Sequence, residues 1–302
     1  MNRICGFTLL GFMLTATVNT VVGQQSSTLR VVAPGASLEK VTGTFAFSEG
    51  PAVNKRGDIY FTDQPNDKIW KYDIHGKLSL FMDKTGRSNG LYFDRQGNLI
   101  SCADEKDELW SIRPDKKVTV LLSHFEGKRL NGPNDLWIDP KGGIYFTDPY
   151  YQRDYWDRKQ PDIPGQKVYY LPKGKKVPVI VEDSVVKPNG IVGTPDGKYL
   201  YVADIQANKT YRYVIGEDGA LKDRREFVPQ GSDGMTLDSE GNLYITGRGV
   251  TVYDSNGKQL GNIPVSANWT GNVCFGGKDR KTLFITASES VYTLRMQVKG
   301  VE

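Results

Sequence analysis

Five residues that could hold a cation or activate a water recur at one phase of a repeat in this sequence. They are Glu49, Asn89, Asn134, Asn189 and Asp233; a sixth copy carries Gly271 at the same phase. The gaps between them are 40, 45, 55, 44 and 38 residues. Two are carboxylates, three are carboxamides, and none is a thiol, imidazole or cation. Gathered in one place, such hard oxygen donors suit Ca²⁺ or Mg²⁺, and two acids neutralise a divalent charge. With no cation between them, Glu49 and Asp233 would repel each other. Asn-Gly and Asp-Gly also occur as plain turn dipeptides. Five oxygen-bearing residues at one phase, two of them acidic, argue for a site rather than for turns alone.

A rival candidate is "GRSNG", Gly86 to Gly90, which has the G-x-S-x-G form of a serine-esterase elbow. That elbow needs a strand-to-helix turn and a nearby base. Ser88 precedes an apolar strand, and no helical pattern follows it. His75 sits in the hairpin turn "DIHGK" and His124 in "LLSHFEGK", both out of phase with the repeat. Ser88 is therefore assigned no catalysis.

The repeat itself dictates the elements that must position the five residues. "EGPAVNKRGDIYFTD", "NGLYFDRQGNLISCAD", "NDLWIDPKGGIYFTD", "NGIVGTPDGKYLYVAD" and "DGMTLDSEGNLYIT" share one plan, with "GNVCFGGKDRKTLFIT" as a looser sixth copy. Each is a polar residue, a short apolar strand, a Gly-containing turn and a second strand. Runs such as "KIWKYD" and "KVYYLP" add further strands, giving about four per unit. A period near ~40–45 residues with four strands predicts an all-β, six-bladed β-propeller. The first strand of each blade lines the central channel, so the leading residues form a ring at one mouth. "LRVVAPGASLEKVTGTFAF" is expected to supply an outer strand to the last blade. Asp63, Asp104, Asp148 and Asp204 end second strands in most blades and read as structural acceptors of backbone N–H groups.

The long gap marks an insertion in blade three, at about residues 150–166, rich in Tyr, Trp, Arg and Asp. It is expected to roof the channel mouth. Tyr150, Tyr151 and Trp156 are candidate substrate walls, or else aromatics that pin the loop to the rim.

Residues 1–23 have the pattern of a secretory leader: Arg3, a short apolar run, then small residues. Residues 24–302 then form one propeller domain, and the protein is expected to be secreted or periplasmic with no membrane span after cleavage. The net charge of +4 is too small and too dispersed to indicate a nucleic-acid partner. Cys102 and Cys274 fall on repeat strands and are expected to be buried free thiols.

"SEGP" at Ser48–Pro51, "RLNGPND" at Arg129–Asp135, "PNGI" at Pro188–Ile191 and "DGM" at Asp233–Met235 resemble the gluconolactonase and senescence-marker-protein (regucalcin) family. The resemblance runs over nearly all of the chain after the leader. It implies one divalent ion in the channel, Ca²⁺ first, with Mg²⁺, Mn²⁺ or Zn²⁺ as other occupants. It assigns Glu49, Asn189 and Asp233 as principal ligands and Asn134 as a ligand or substrate contact, with Asn89 a weaker contact. Asp233 takes the base role. Arg129 is carried over as a substrate residue, although it lies five residues before Asn134 rather than beside it. The activity implied is metal-dependent opening of a sugar lactone. A broader lactonase, arylesterase or phosphotriesterase, and a non-catalytic propeller that binds a sugar or a protein, stand as alternatives.

Overall fold

The structure is a computed structural model describing Met1 and residues 29–301. The expected leader lies outside the described residues apart from Met1. Strand-forming runs of β-branched and aromatic residues make six four-stranded antiparallel sheets. In the first five blades the strands run outward in chain order; blade one is Ser48–Val53, Ile59–Asp63, Lys68–Tyr72 and Leu78–Asp83. The sheets form a six-bladed propeller. Second strands such as Ile59–Asp63 and Ile144–Asp148, both "IYFTD", are buried along their whole length. Each is flanked by its own blade's neighbours and faced by the next blade, so alternation disappears from their sequence. Phe61 of blade one, for example, meets Phe284 of blade six at 5.3 Å between ring centres.

Blade six closes the ring. Its innermost strands, Asn272–Gly276, Thr282–Ala287 and Ser290–Arg295, are completed by Glu39–Thr42 from the other end of the chain. That strand pairs antiparallel with Ser290–Arg295, Glu39 opposite Thr293. Phe45 then locks the returning chain against blade one, edge-on to Phe61 at 5.1 Å and to Trp70 at 5.7 Å. A two-stranded ribbon, His124–Phe125 with Lys128–Arg129, stands apart from the blades. Cys102 and Cys274 are buried, and neither forms a disulfide among the described residues. Among the described residues, no helix is long and apolar enough to cross a membrane.

At the axis the innermost strands press together backbone to backbone. A Cβ on Gly50 would lie 2.0 Å from the Asn89 carbonyl oxygen, and one on Gly190 would lie 2.3 Å from that of Asp233. No side chain fits there, which is why glycine follows the leading residue in these copies. The same contact carries hydrogen bonds. Gly90 N–H donates to Asn134 O at 2.8 Å and Gly234 N–H to Gly271 O at 2.7 Å. Threonine hydroxyls of blades one, three and five also reach the next blade: Thr62 donates to Asn89 O, Thr147 to Asn189 O and Thr246 to Gly271 O. The carbonyls of Asn89, Asn134, Asn189 and Gly271 are thus each held by the preceding blade.

Phe45→Ala should leave a cavity at the seam where the ring closes, costing about 3–5 kcal/mol. Thermal unfolding should show a midpoint several degrees lower; an unchanged midpoint would mean that the seam contributes little to stability.

Candidate active site

Five innermost strands or their entries deliver the leading residues to one cavity of about 420 Å³. Glu49, Asn89, Asn134, Asn189 and Asp233 all line it. Glu49 and Asn89 lie within strands Ser48–Val53 and Ser88–Phe93, and Asn189 within Pro188–Gly193. Asn134 and Asp233 stand two residues before Leu136–Ile138 and Met235–Leu237. The sixth position, Gly271, stands just before Asn272–Gly276 and explains itself sterically. A Cβ there would sit 2.5 Å from Glu49 Oε1, so the missing side chain is the space that the Glu49 carboxylate occupies.

The two acids share a desolvated enclosure. Glu49 is 5% exposed, and its Oε2 accepts the Gly50 N–H at 2.8 Å. Burial first, then the Asp233 and Asp135 carboxylates, push its carboxyl well above the usual range. Asp233 keeps an edge open to the cavity, yet the protein around it pushes its carboxyl up to about 6, against hydrogen bonds from Trp269 and Asn189. Trp269 Nε1–H donates to Asp233 Oδ2 at 2.5 Å. That bond fixes the carboxylate plane and occupies one of its two oxygens. Asn189 Nδ2 donates to the Tyr151 hydroxyl at 3.0 Å, so its carbonyl oxygen is the atom this amide has to offer a cation.

Among the described residues, no group of three His, Cys, Asp or Glu side chains forms a metal site. The donor set here is instead two carboxylates and amide oxygens. Two mutually repelling, buried acids with neutral oxygens beside them fit a hard divalent cation in charge and in chemistry.

The blade-three insertion, residues 149–166, supplies part of the wall. Tyr151 and Arg153 line the cavity. Tyr150 and Trp156 do not; they hold the insertion down. Trp156 is buried, donates Nε1–H to the Asp104 carbonyl at 3.2 Å, and lies beneath the Arg158 guanidinium, whose carbon is 4.2 Å from the ring centre. Tyr150 packs on Trp156 and donates its hydroxyl proton to Gln152. Arg129 is also absent from the cavity. It lies exposed on the two-stranded ribbon, where Asp162 holds its guanidinium at 2.9 and 3.1 Å. The strand entry that carries Asn134 turns inward after Arg129, so nearness in sequence does not become nearness in space. Ser88 is fully buried, with its hydroxyl bonded to Thr85 O and Ser101, and serves the blade.

Among the cavity-lining residues out of phase with the repeat, Gln64, Arg153 and Trp269 bring polar groups that the spacing did not place. Asp104 explains two of them. In its sister positions the carboxylate holds backbone N–H groups some seventeen residues earlier in the chain. Asp63 accepts from Ala46 and Phe47, Asp148 from Asn131 and Gly132, and Asp204 from Val186 and Lys187. In blade two, Asp67 takes over that duty, accepting the Thr85 and Arg87 N–H groups at 2.8 and 2.7 Å. Asp104 is thereby released to accept from Gln64 Nε2, Arg153 Nε and the Tyr155 hydroxyl. The expected structural role holds for three of the four aspartates; the fourth organises the cavity wall.

Arg158 completes the anchoring. Fully enclosed, it donates to Asp107 at 2.5 Å and to the Leu130 and Asn131 carbonyls.

Two outcomes follow from this geometry. Gly271→Ala should displace the Glu49 side chain at little cost in melting temperature, because the added methyl meets the far end of that flexible group at 2.5 and 3.0 Å and the Ser48 carbonyl only at 3.3 Å. A crystal structure of the variant should show Glu49 rotated; an unmoved Glu49 would contradict the packing. Arg158→Met should cost about 3–5 kcal/mol by stranding the buried Asp107 charge, and Asp107→Asn in the same chain should recover much of it. Denaturant unfolding of the single and double variants measures this; equal loss in both would show that the ion pair is not the cause.

The comparisons with known proteins agree with this architecture. The chain is 28% identical to a gluconolactonase of Zymomonas mobilis over 296 residues, covering 87% of this chain and 82% of the relative. It is 27% identical to a pentonolactonase of Haloferax volcanii over 243 residues, covering 76% and 77%. A solved gluconolactonase from Xanthomonas campestris superposes with a TM-score of 0.83 at 28% identity, covering 89% and 92%. A regucalcin of Agrobacterium tumefaciens, at 19% identity and a TM-score of 0.73 over 88% and 95%, shares the fold. The family model described as the SMP-30/gluconolactonase/LRE-like region matches residues 47–289, and the chain belongs to that family.

Proposed function

We propose that this protein is a lactone hydrolase that opens a sugar lactone in the cavity at the channel mouth, with one divalent cation, Ca²⁺ first, as its cofactor. The single observation that carries the reading is the convergence of Glu49, Asn89, Asn134, Asn189 and Asp233 on one cavity. The printed names of the relatives, gluconolactonase and pentonolactonase, support the reaction class. Glu49, Asn134, Asn189 and Asp233 would hold the cation, and Asn89 would lie at its margin. When bound, such an ion balances the two acids and polarises a carbonyl oxygen.

The chain's own groups do the rest. A lactone enters with its ester carbonyl toward the acids and its hydroxyls toward the wall formed by Gln64, Tyr151 and Arg153. Asp233 takes a proton from the water whose oxygen attacks the carbonyl carbon. Its Oδ1 is assigned this role, and Oδ2, which accepts the Trp269 indole N–H, keeps a second lone pair that would face the cation. The Asn134 amide can donate to the oxygen that gains negative charge. The ring C–O bond then breaks, and the proton held on Asp233 passes to the departing ring oxygen, leaving a hydroxy acid and a free carboxylate base.

Acid release from glucono-1,5-lactone, followed with and without a chelator, tests the proposal. Chelation should abolish release and added Ca²⁺ should restore it. Asp233→Asn should lower turnover by at least ~10² even at saturating cation. Glu49→Gln should instead be rescued in part by excess cation. Turnover indifferent to chelator would remove the cation from the proposal, and full activity in Asp233→Asn would remove the base.

A further inference from the structure

Two cations flank an aromatic side chain of the cavity wall. Tyr151, which lines the cavity, has two cations on its ring: the Lys187 ammonium 4.4 Å from the ring centre and the Arg153 guanidinium carbon at 5.6 Å. Arg153 spends only Nε on protein, in its 2.9 Å bond to Asp104. Its two terminal nitrogens find no protein acceptor among the described residues, and the side chain is 23% exposed at the cavity wall. Lys187 stands two residues before Asn189 and, among the described residues, forms no ion pair. Asp204, which accepts the Lys187 backbone N–H, also accepts those of Val186 and Ala207.

A cation–π contact positions a charge without neutralising it. The guanidinium fork, held by one edge, presents its other nitrogens in the geometry that a planar anion accepts bidentately. Sugar hydroxyls alone could be served by amides such as Gln64. A half-enclosed arginine and a lysine that forms no ion pair among the described residues, both set against the Tyr151 ring, have a stronger ligand in an anion. The acids deeper in the cavity do not oppose this once a divalent ion balances them, so the inference rests on the function proposed above.

We infer that the substrate is a lactone bearing an anionic group, carboxylate or phosphate, at the end remote from the ester, received by Arg153 and Lys187 beside the Tyr151 ring. The ester end lies among Glu49, Asn134, Asn189 and Asp233, and the anionic end faces the insertion. This assigns the blade-three insertion a role in substrate choice, because it supplies both Tyr151 and Arg153.

The test compares kcat/KM for D-glucaro-1,4-lactone and D-glucono-1,4-lactone, which differ only in the terminal carboxylate. A parallel pair, 6-phospho-D-glucono-1,5-lactone and D-glucono-1,5-lactone, supplies the phosphate arm. At least one anionic lactone should be favoured over its neutral partner by about tenfold, the equivalent of one well-placed charge contact, and the favoured arm names the anion. Lys187→Met, at a half-buried residue outside any ion pair, should bring that ratio toward one. Added salt should shrink the ratio as well, since the charges at the mouth are partly open to solvent. Hydrolysis of the neutral lactones with no preference for either anionic partner would overturn the inference and leave the lactonase reading intact. Hydrolysis of none of the four would overturn both.

Discussion

Where innermost strands meet at Gly50, Gly90 and Gly190, the backbones approach so closely that only hydrogen fits between them. Gly50 and Gly190 stand against the carbonyls of Asn89 and Asp233, and Gly90 and Gly234 hydrogen-bond to the carbonyls of Asn134 and Gly271. Each such bond is worth about 1 kcal/mol net, too little to matter singly. Its consequence is geometric. The carbonyls of Asn89, Asn134, Asn189 and Gly271 are each held by the preceding blade, which fixes where these strand entries stand at the axis. Residues spread from position 49 to position 233 are thus delivered to one cavity, with no loop left to improvise their placement. The cost is that two carboxylates are forced together in a desolvated space, which the isolated chain would not choose.

The insertion is fastened by a different device. The propeller needs a carboxylate to hold the turn entering each innermost strand, and in blade two Asp67 does so from the neighbouring blade. That leaves Asp104 free to collect Gln64, Arg153 and Tyr155. One relocated duty converts a structural position into the hub of the cavity wall. Arg158 on Asp107 and the packing of Trp156 fix the same segment farther out.

Much of this was legible before any coordinates, for a definable reason. A repeat maps sequence phase onto spatial position, so the blades, the closing strand from the N-terminal side and the ring from Glu49 to Gly271 could all be read from spacing. Features lying outside the repeat could not. Trp269 and Gln64 come from loops whose path no periodicity fixes. Arg153 sits in an insertion with no counterpart in the other blades. Arg129 shows the converse error: a cation near Asn134 in sequence is carried off by a two-stranded ribbon to pair with Asp162. Tyr150 and Trp156 have the composition of a sugar wall, but their neighbour Arg158 turns them into anchors. Asp104 looked like its three sister aspartates because the substitution that frees it, at Asp67, lies in the preceding blade.

Terbium luminescence tests directly whether the ring is a single hard-cation site. Tb³⁺ takes the oxygen ligands that suit Ca²⁺, and Trp269, bonded to Asp233, is placed to sensitise it. Excitation of tryptophan in the wild-type protein should give saturable Tb³⁺ emission that Ca²⁺ displaces. The signal should be strongly weakened in Glu49→Gln, through lost binding, and in Trp269→Phe, through lost sensitisation. Absence of saturable emission, or emission at wild-type strength in Glu49→Gln, would contradict a shared cation at the axis.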